Sequence, residues 1–156
     1  MREICEFSTV EEFWRYWSFV PRPSEVLFDG NSRKEIEGRT IDAFSVFKKG
    51  IRPEWEDVAN RTGSELSCRK TMTVDILDAY WENLVLGEFL HVSTLICCNR
   101  ASDVVRAGLI GEIVDENDEI CGCRVVDKSK KGSNRCYYRL ELWLRTANAE
   151  VGERIR

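Results

Sequence analysis

Trp55 and Glu56 are the two neighbours in this sequence whose side chains suit a definite chemical task. They stand side by side in FKKGIRPEWED (residues 47–57), shortly after Gly50 and Pro53. Gly and Pro punctuate turns, which places the pair on a loop rather than inside a core element. A loop indole can stack on a nucleobase while the adjacent carboxylate reads its edge. Guanine presents two neighbouring donors on its Watson–Crick edge, and an ionised Glu is an acceptor-only group able to take both. A plainer reading also stands, in which Trp55 is a half-buried loop anchor and Glu56–Asp57 a solvated charge pair.

Two further features extend the first reading. The turn KSKKG (residues 128–132) carries Lys128, Lys130 and Lys131, and Trp143 interrupts the polar row of YYRLELWLR. In that segment Leu140, Leu142 and Leu144 alternate with Arg139, Glu141, Trp143 and Arg145, the period of a strand. Trp143 therefore sits among charges; it either covers a sheet face or lines a ligand site. With the base on Trp55 and phosphates on the lysines, the three features accommodate a nucleotide. Stacking contributes roughly 1–3 kcal/mol per base, and a cationic base adds about 1–2 kcal/mol of cation–π attraction when desolvated. A guanine that is also cationic is 7-methylguanine, the mRNA cap. The lysine cluster alone is weak, because charge runs are usually solvated turns.

Several elements must position these residues. Residues 8–20 read as a helix, opened by a capping box of Ser8 with Glu11 or Thr9 with Glu12, and striped by Val10, Phe13, Trp14 and Trp17. Core packing is the default for that stripe, with a partly exposed docking surface at Trp14 as the alternative. Pro21 and Pro23 end the helix, and residues 24–42 read as a long loop. Ile41–Phe47 is an extended lead into the Trp55 loop, and residues 65–71 a strand. Thr73–Leu86 is a second helix whose buried face is Val74, Leu77, Trp81 and Leu84. Ile120–Asp127 and Tyr137–Arg145 are strands, and the tail after Thr146 is polar and frayed.

At 156 residues the chain fits one domain with a real core. A net charge of −4 argues against a general polyanion binder but leaves room for a local basic site. No run approaches about 18 apolar residues, so no membrane span is expected, and the first residues lack the apolar region of a secretory signal. The seven cysteines form no CxxC pair and no zinc spacing, which points to reduced thiols in cytosol or nucleus.

FSTVEEFW, VFKKGIRPEWED, DAYWENL, LIGE, ICGCRVV and RLELWLR, in that order, resemble the translation initiation factor 4E family of mRNA cap-binding proteins. The resemblance spans roughly residues 5–145. It implies an α+β fold, a curved antiparallel sheet backed by helices on its convex face, with the cap on the concave side. It implies no enzyme activity, cofactor or metal. Residue by residue, Trp55 is similar to a stacking tryptophan, Glu56 to the carboxylate reading guanine N1 and N2, and Lys128 and Lys130 to the basic pair that grips the cap phosphates. Trp143 is similar to the tryptophan touching the N7-methyl group. On the helical face, Val10 and Trp14 match positions that dock a factor 4G-type scaffold and 4E-binding proteins, and Leu86 falls on another by ungapped counting from Trp81. The implied partners are thus capped mRNA and these helical ligands, in the cytoplasm or also the nucleus.

Four departures set expectations. The family's other stacking tryptophan precedes the FSTVEEFW block, so cap affinity is expected to fall substantially or vanish; beside cap binding in translation initiation stands the alternative of a cap-binding-deficient member or fragment that acts only on partners through Val10 and Trp14. The family continues beyond residue 156 with another helix and further strands. Glu82 and Asn83 replace the usual Leu–Glu of the docking helix. Residues 88–108 interrupt what should read ENLVLG–LIGE. Gly87-Glu88-Phe89 can be encoded by GGTGAGTTT, which contains a splice donor, and Ala107-Gly108 by codons that hold an intron's terminal AG. Removing the segment keeps the frame, so a translated intron is the expectation. A thiol hydrolase using His91 with Cys97 or Cys98 would need both partners inside that segment.

Overall fold

The computed structural model describes residues 2–86, 118–130, 133 and 135–155. Helix α1 spans Val10–Trp17 and is capped by Thr9, whose Oγ1 accepts from the Glu12 amide at 3.2 Å, while the Glu12 carboxylate reaches back to the Ser8 amide at 2.8 Å. Of the two capping boxes the sequence allows, the helix uses Thr9. Only Phe13 of its apolar stripe is fully buried. Its ring stacks on Trp17 at 5.2 Å, and Trp17 lies 6.5 Å from Trp81. An eight-residue helix presents one narrow line to the core, so Val10 and Trp14 remain exposed. That corrects the core-packing default for those two residues.

The segment read as a long loop is partly built. Helix α2 (Pro23–Val26) starts on a proline, which needs no amide partner at that position, and buries Pro23 and Val26. Ser24 anchors it to the longer helix, donating from its amide to Asp78 at 2.9 Å. Strands β1 (Glu35–Ile36) and β2 (Arg39–Thr40) then form a two-stranded hairpin. Glu37 and Gly38 both have positive φ, 52° and 73°, the backbone a tight two-residue hairpin requires. Arg33 ties this region to the main sheet through Asp42, Asp127 and the Ser129 carbonyl.

The main sheet has four antiparallel strands in the order β3-β5-β6-β4. These are β3 (Ala43–Phe47), β4 (Ser64–Thr71), β5 (Ile120–Asp127) and β6 (Tyr137–Leu144). Helix α3 (Val74–Leu86) packs on one face and buries Leu77, Trp81, Leu84 and Val85 against Val125, Leu140, Leu142 and Leu144. Tyr138 belongs to the same core and donates its hydroxyl to the Phe28 carbonyl, stitching the loop to the sheet. The tail is not frayed: α4 (Ala149–Ile155) is capped by Asn148, whose Oδ1 accepts from the Glu150 amide at 3.0 Å, and Val151 packs on the core. Period-two alternation turns the other residues of each strand to the opposite face. Across it the register makes two rows, Ser45–Arg124–Glu141–Ser67 and Phe47–Gly122–Trp143–Glu65.

Candidate functional site

The loop joining β3 to β4 lies at the Phe47–Gly122–Trp143 end of that opposite face, and its own polar groups brace it. Asn60 is buried, and its Nδ2 donates to the carbonyls of Arg52 at 2.7 Å and Glu54 at 2.9 Å. Asp57 accepts from the amides of Arg52 at 3.1 Å and Ala59 at 3.0 Å, and these two donors hold its carboxyl below the usual aspartate range. Gly50 turns the chain into the loop with φ +82°. At the far end Gly63 passes so close to β6 that a Cβ there would fall 1.9 Å from the Leu144 carbonyl oxygen. The loop is thus a fixed platform rather than a slack connection.

Trp55 projects from this platform with 42% of its surface exposed, and its ring stacks on Trp143 at 4.0 Å with an interplanar angle of 17°. Trp143 is 2% exposed, although the alternation of β6 sets it among charged residues. Three contacts explain its burial: Trp55 over its face, Phe47 against it edge-on at 5.5 Å, and Glu141 Oε2 accepting from its Nε1 at 2.9 Å. Gly122, directly across the strand pair, supplies no side chain to compete, and a Cβ there would lie 2.5 Å from both the Val46 carbonyl oxygen and Phe47 Cγ. The row read as polar therefore buries its tryptophan after all.

The charges of that row are not solvated either. Glu141 is 4% exposed and lies 3.1 Å from Arg139 Nε, and Arg139 also pairs with Glu65 on β4. Arg124, opposite Glu141, has a buried Nε without a hydrogen-bond partner among the described residues. These residues lie between the indole pair and the lysine turn. Counting by twos from Trp143 reaches Glu141 and then Arg139, so β6's alternation held the signal for the row, though not for its burial.

The structure brings Trp55 and Trp143 together. Glu56 lies beside Trp55, exposed, with no ion pair or side-chain hydrogen bond among the described residues. Lys128 and Lys130 are exposed at the other end of β5, and Lys128 lies six residue steps beyond Gly122, roughly 20 Å of strand. Val10 and Trp14 are exposed on α1, on the helical side, and Leu86 ends α3 partly buried against the core. Lys131, His91, Cys97, Cys98 and the whole of 88–108 lie outside the described residues. A cavity of about 560 Å³ on the loop's flank is lined by Lys49, Gly50, Asp57, Val58 and Arg145, among others, and by neither Trp55 nor Glu56. Among the described residues no group of acidic, His and Cys side chains could hold a metal ion, and no helix is long and apolar enough to cross a membrane.

An antiparallel sheet with helices on one face and a stacked indole pair on the other defines an α+β fold of one recognisable kind. The chain belongs to the eukaryotic initiation factor 4E family, whose sequence profile matches residues 1–156. It is 30% identical over 161 aligned residues to Drosophila melanogaster eukaryotic translation initiation factor 4E1, covering 99% of this chain and 47% of that protein. It is 32% identical to the Aplysia californica factor 4E, covering 94% and 52% respectively. The chain thus spans about half the length of these relatives. In three dimensions it is similar to C. elegans eIF4E-3 in complex with the 4E-binding protein Mextli, with a TM-score of 0.66, 25% identity, and coverage of 99% of this chain and 68% of that one. A complex of the same protein with Mextli and a cap analog gives a TM-score of 0.61 at 26% identity, covering 97% and 65%.

Proposed function

We propose that this chain binds the 7-methylguanosine cap of mRNA in translation initiation and docks helical partners on the opposite side of its sheet. The observation that carries the reading is Trp55 itself: an indole held by a braced loop with one face toward solvent, beside an exposed Glu56 that is unpaired among the described residues. The base stacks on Trp55, Glu56 accepts from its Watson–Crick edge, and Trp143 completes the apolar end of the site. Lys128 and Lys130 take the phosphates at the far end of β5, with Arg124 and Arg139 between. Val10, Trp14 and Leu86 form the surface for a factor 4G-type scaffold or a 4E-binding protein. The C. elegans relative, whose solved structures hold such a protein and a cap analog, supports both halves. The setting is cytoplasmic, with the nucleus as a further compartment. Residues 1–156 form one domain in this reading, with 88–108 as an insertion, and cDNA sequencing across Leu86–Glu112 tests whether that insertion is a retained intron.

A second reading is favoured by the 4.0 Å closure of Trp55 on Trp143, which leaves no gap for a base between them. Here the protein binds partners only. Tryptophan-fluorescence titration with 7-methyl-GTP, and with GTP as control, separates the two. Quenching by the methylated ligand alone, abolished in Trp55→Ala and Glu56→Ala, is the expected result. Equal responses to both ligands would reject cap recognition and leave the partner reading, which Trp14→Ala tests against a factor 4G-type helical peptide.

A further inference from the structure

We infer that Arg33 is a positioning residue for the phosphate end of the site. It fixes the turn from which Lys128 and Lys130 project, so the segment preceding β3 sets how firmly those lysines hold a phosphate chain. The inference rests on the cap-binding reading and adds to it a residue outside the stretches that carry the family resemblance.

The Arg33 guanidinium reaches three groups at one corner of the sheet. It pairs with the Asp42 carboxylate through Nη1, while Nη2 lies 3.1 Å from Asp127 Oδ2 and donates to the Ser129 carbonyl at 3.1 Å. The planar fork of an arginine suits such a junction, since one side chain serves several acceptors at fixed angles. The Asp127 side chain is wholly buried, and its Oδ2 accepts no hydrogen bond among the described residues, so the ion pair with Arg33 is what offsets the burial of its charge. The other oxygen of Asp127 shapes the turn, because Oδ1 accepts from the Ser129 amide at 2.8 Å.

Ser129 is therefore held at both its amide and its carbonyl. It is 8% exposed, and its Oγ accepts from the Tyr137 amide at 2.9 Å, in line with the Lys128 amide that donates to the Tyr137 carbonyl at 2.8 Å. With residue 129 turned inward against β6, residues 128 and 130 turn outward, and both lysines are exposed. Two ammonium groups on a fixed backbone present donors to successive phosphates. Arg33 is itself ill suited to contact them, because two carboxylates already surround its charge. Removing it frees the Ser129 carbonyl and leaves a buried carboxylate uncompensated beside both lysines. The turn loosens, and the lysines are drawn back toward Asp127.

The test compares 7-methylguanosine with 7-methyl-GTP by fluorescence titration, since the two ligands share a base and differ only in phosphates. In the unaltered protein the triphosphate is expected to bind about tenfold tighter, the effect of one charge-assisted contact. In Arg33→Ala the nucleoside affinity should stay within about twofold, while the triphosphate advantage falls to about threefold or less. Equal loss on both ligands would make Arg33 a support of the fold alone and overturn the inference, as would an undiminished advantage. Arg33→Ala/Asp127→Asn removes both charges of the pair, which relieves the buried carboxylate and leaves the local field nearly unchanged. The advantage should be lost there too; its return would mean that Arg33 acts only through its charge and would overturn the positioning role. Backbone order parameters at Ser129 and Lys130 should fall from about 0.85 to below about 0.6 in both variants, and unchanged values would count against it equally. If neither alanine variant folds, Arg33→Lys keeps the charge without the fork and should lose part of the advantage; a parental ratio would overturn the inference. An unaltered chain that binds nucleoside and triphosphate equally would overturn the inference alone. One that binds neither would overturn the cap-binding reading as well.

Discussion

Asn60→Ala is the perturbation that most directly tests whether the Trp55 loop is a platform. Asn60 is 1% exposed, and its Nδ2 donates two hydrogen bonds, to the carbonyls of Arg52 and Glu54. At about 0.5–1.5 kcal/mol net each, their loss costs about 1–3 kcal/mol. Two further effects oppose each other. The orphaned carbonyls belong to exposed residues and regain some water, which lowers the penalty. Asn60 Oδ1 is itself buried without a partner among the described residues, so alanine also removes an existing cost of about 1 kcal/mol. Deleting the amide group leaves a small void, which adds a comparable loss. The sum is about 2 kcal/mol, which for a chain of this length lowers the melting temperature by about 4–8 °C. A thermal melt followed by tryptophan fluorescence reads it. Amide exchange at Arg52 and Ala59, whose N–H groups donate to Asp57 on the same loop, should accelerate beyond the global effect. Asn60→Asp should be worse than alanine, because a carboxylate would face two carbonyl oxygens. A melt of Asn60→Ala within about 1 °C of the parent protein would refute the bracing argument.

Other consequences follow from the same geometry. Gly63→Ala places a Cβ 1.9 Å from the Leu144 carbonyl and should destabilise by about 3 kcal/mol or more; a parental urea midpoint would contradict the close approach of loop and strand. Asp57, with its carboxyl held low by the amides of Arg52 and Ala59, contributes stability that is complete above the ordinary aspartate range and lost as pH falls through its depressed folded value. Asp57→Asn should therefore flatten the acid limb of the stability–pH curve below about pH 4 and leave its slope near neutrality unchanged. Trp14→Ala removes an exposed indole, so it should shift stability by about 0.5 kcal/mol or less while abolishing capture of a factor 4G-type helical peptide. Retained capture would move the docking surface elsewhere.

The strands were legible because their pattern and their burial coincide. Ile120–Asp127 carries only Arg124 and the terminal Asp127 as charged residues, and Tyr137–Leu144 alternates cleanly, so both strands emerge from local sequence. Helix α3 was legible for the same reason, since a single apolar face meets a sheet. Elsewhere the deciding contacts are distant. Val10 and Trp14 share helical spacing with Phe13 and Trp17, but spacing does not reveal how wide a stripe the neighbouring helix can cover. Helix α4 is only seven residues long and contains Gly152, which makes it marginal alone; its cap at Asn148 and the seat of Val151 in the core hold it in place. Of the candidate site, Trp55 and Trp143 were identified singly, but their contact depends on how a loop folds back over a strand remote in sequence. The buried Arg139–Glu141–Glu65 arrangement depends on cross-strand register, which single-strand alternation does not specify.

That register also explains why one sheet can serve two surfaces. Along β6, Tyr138, Leu140, Leu142 and Leu144 lie under α3, whereas Arg139, Glu141 and Trp143 face the opposite way. A substitution on one face leaves the side chains of the other face in place, and energetic effects of residues that share no partner usually add. Trp14 contacts Phe13 on the helical side, and Trp55 contacts Trp143 on the other, so the two tryptophans belong to separate aromatic pairs. Orientation is handled differently on the two sides. The helical face relies on apolar packing around Leu77 and Trp81, which tolerates small shifts of α1. The opposite face fixes Trp143 with a buried carboxylate that accepts from its Nε1, and that carboxylate is itself paired with Arg139. A directional hydrogen bond held by a charge pair sets ring orientation more narrowly than packing does, which is what a stacking surface needs and a helix-docking surface does not.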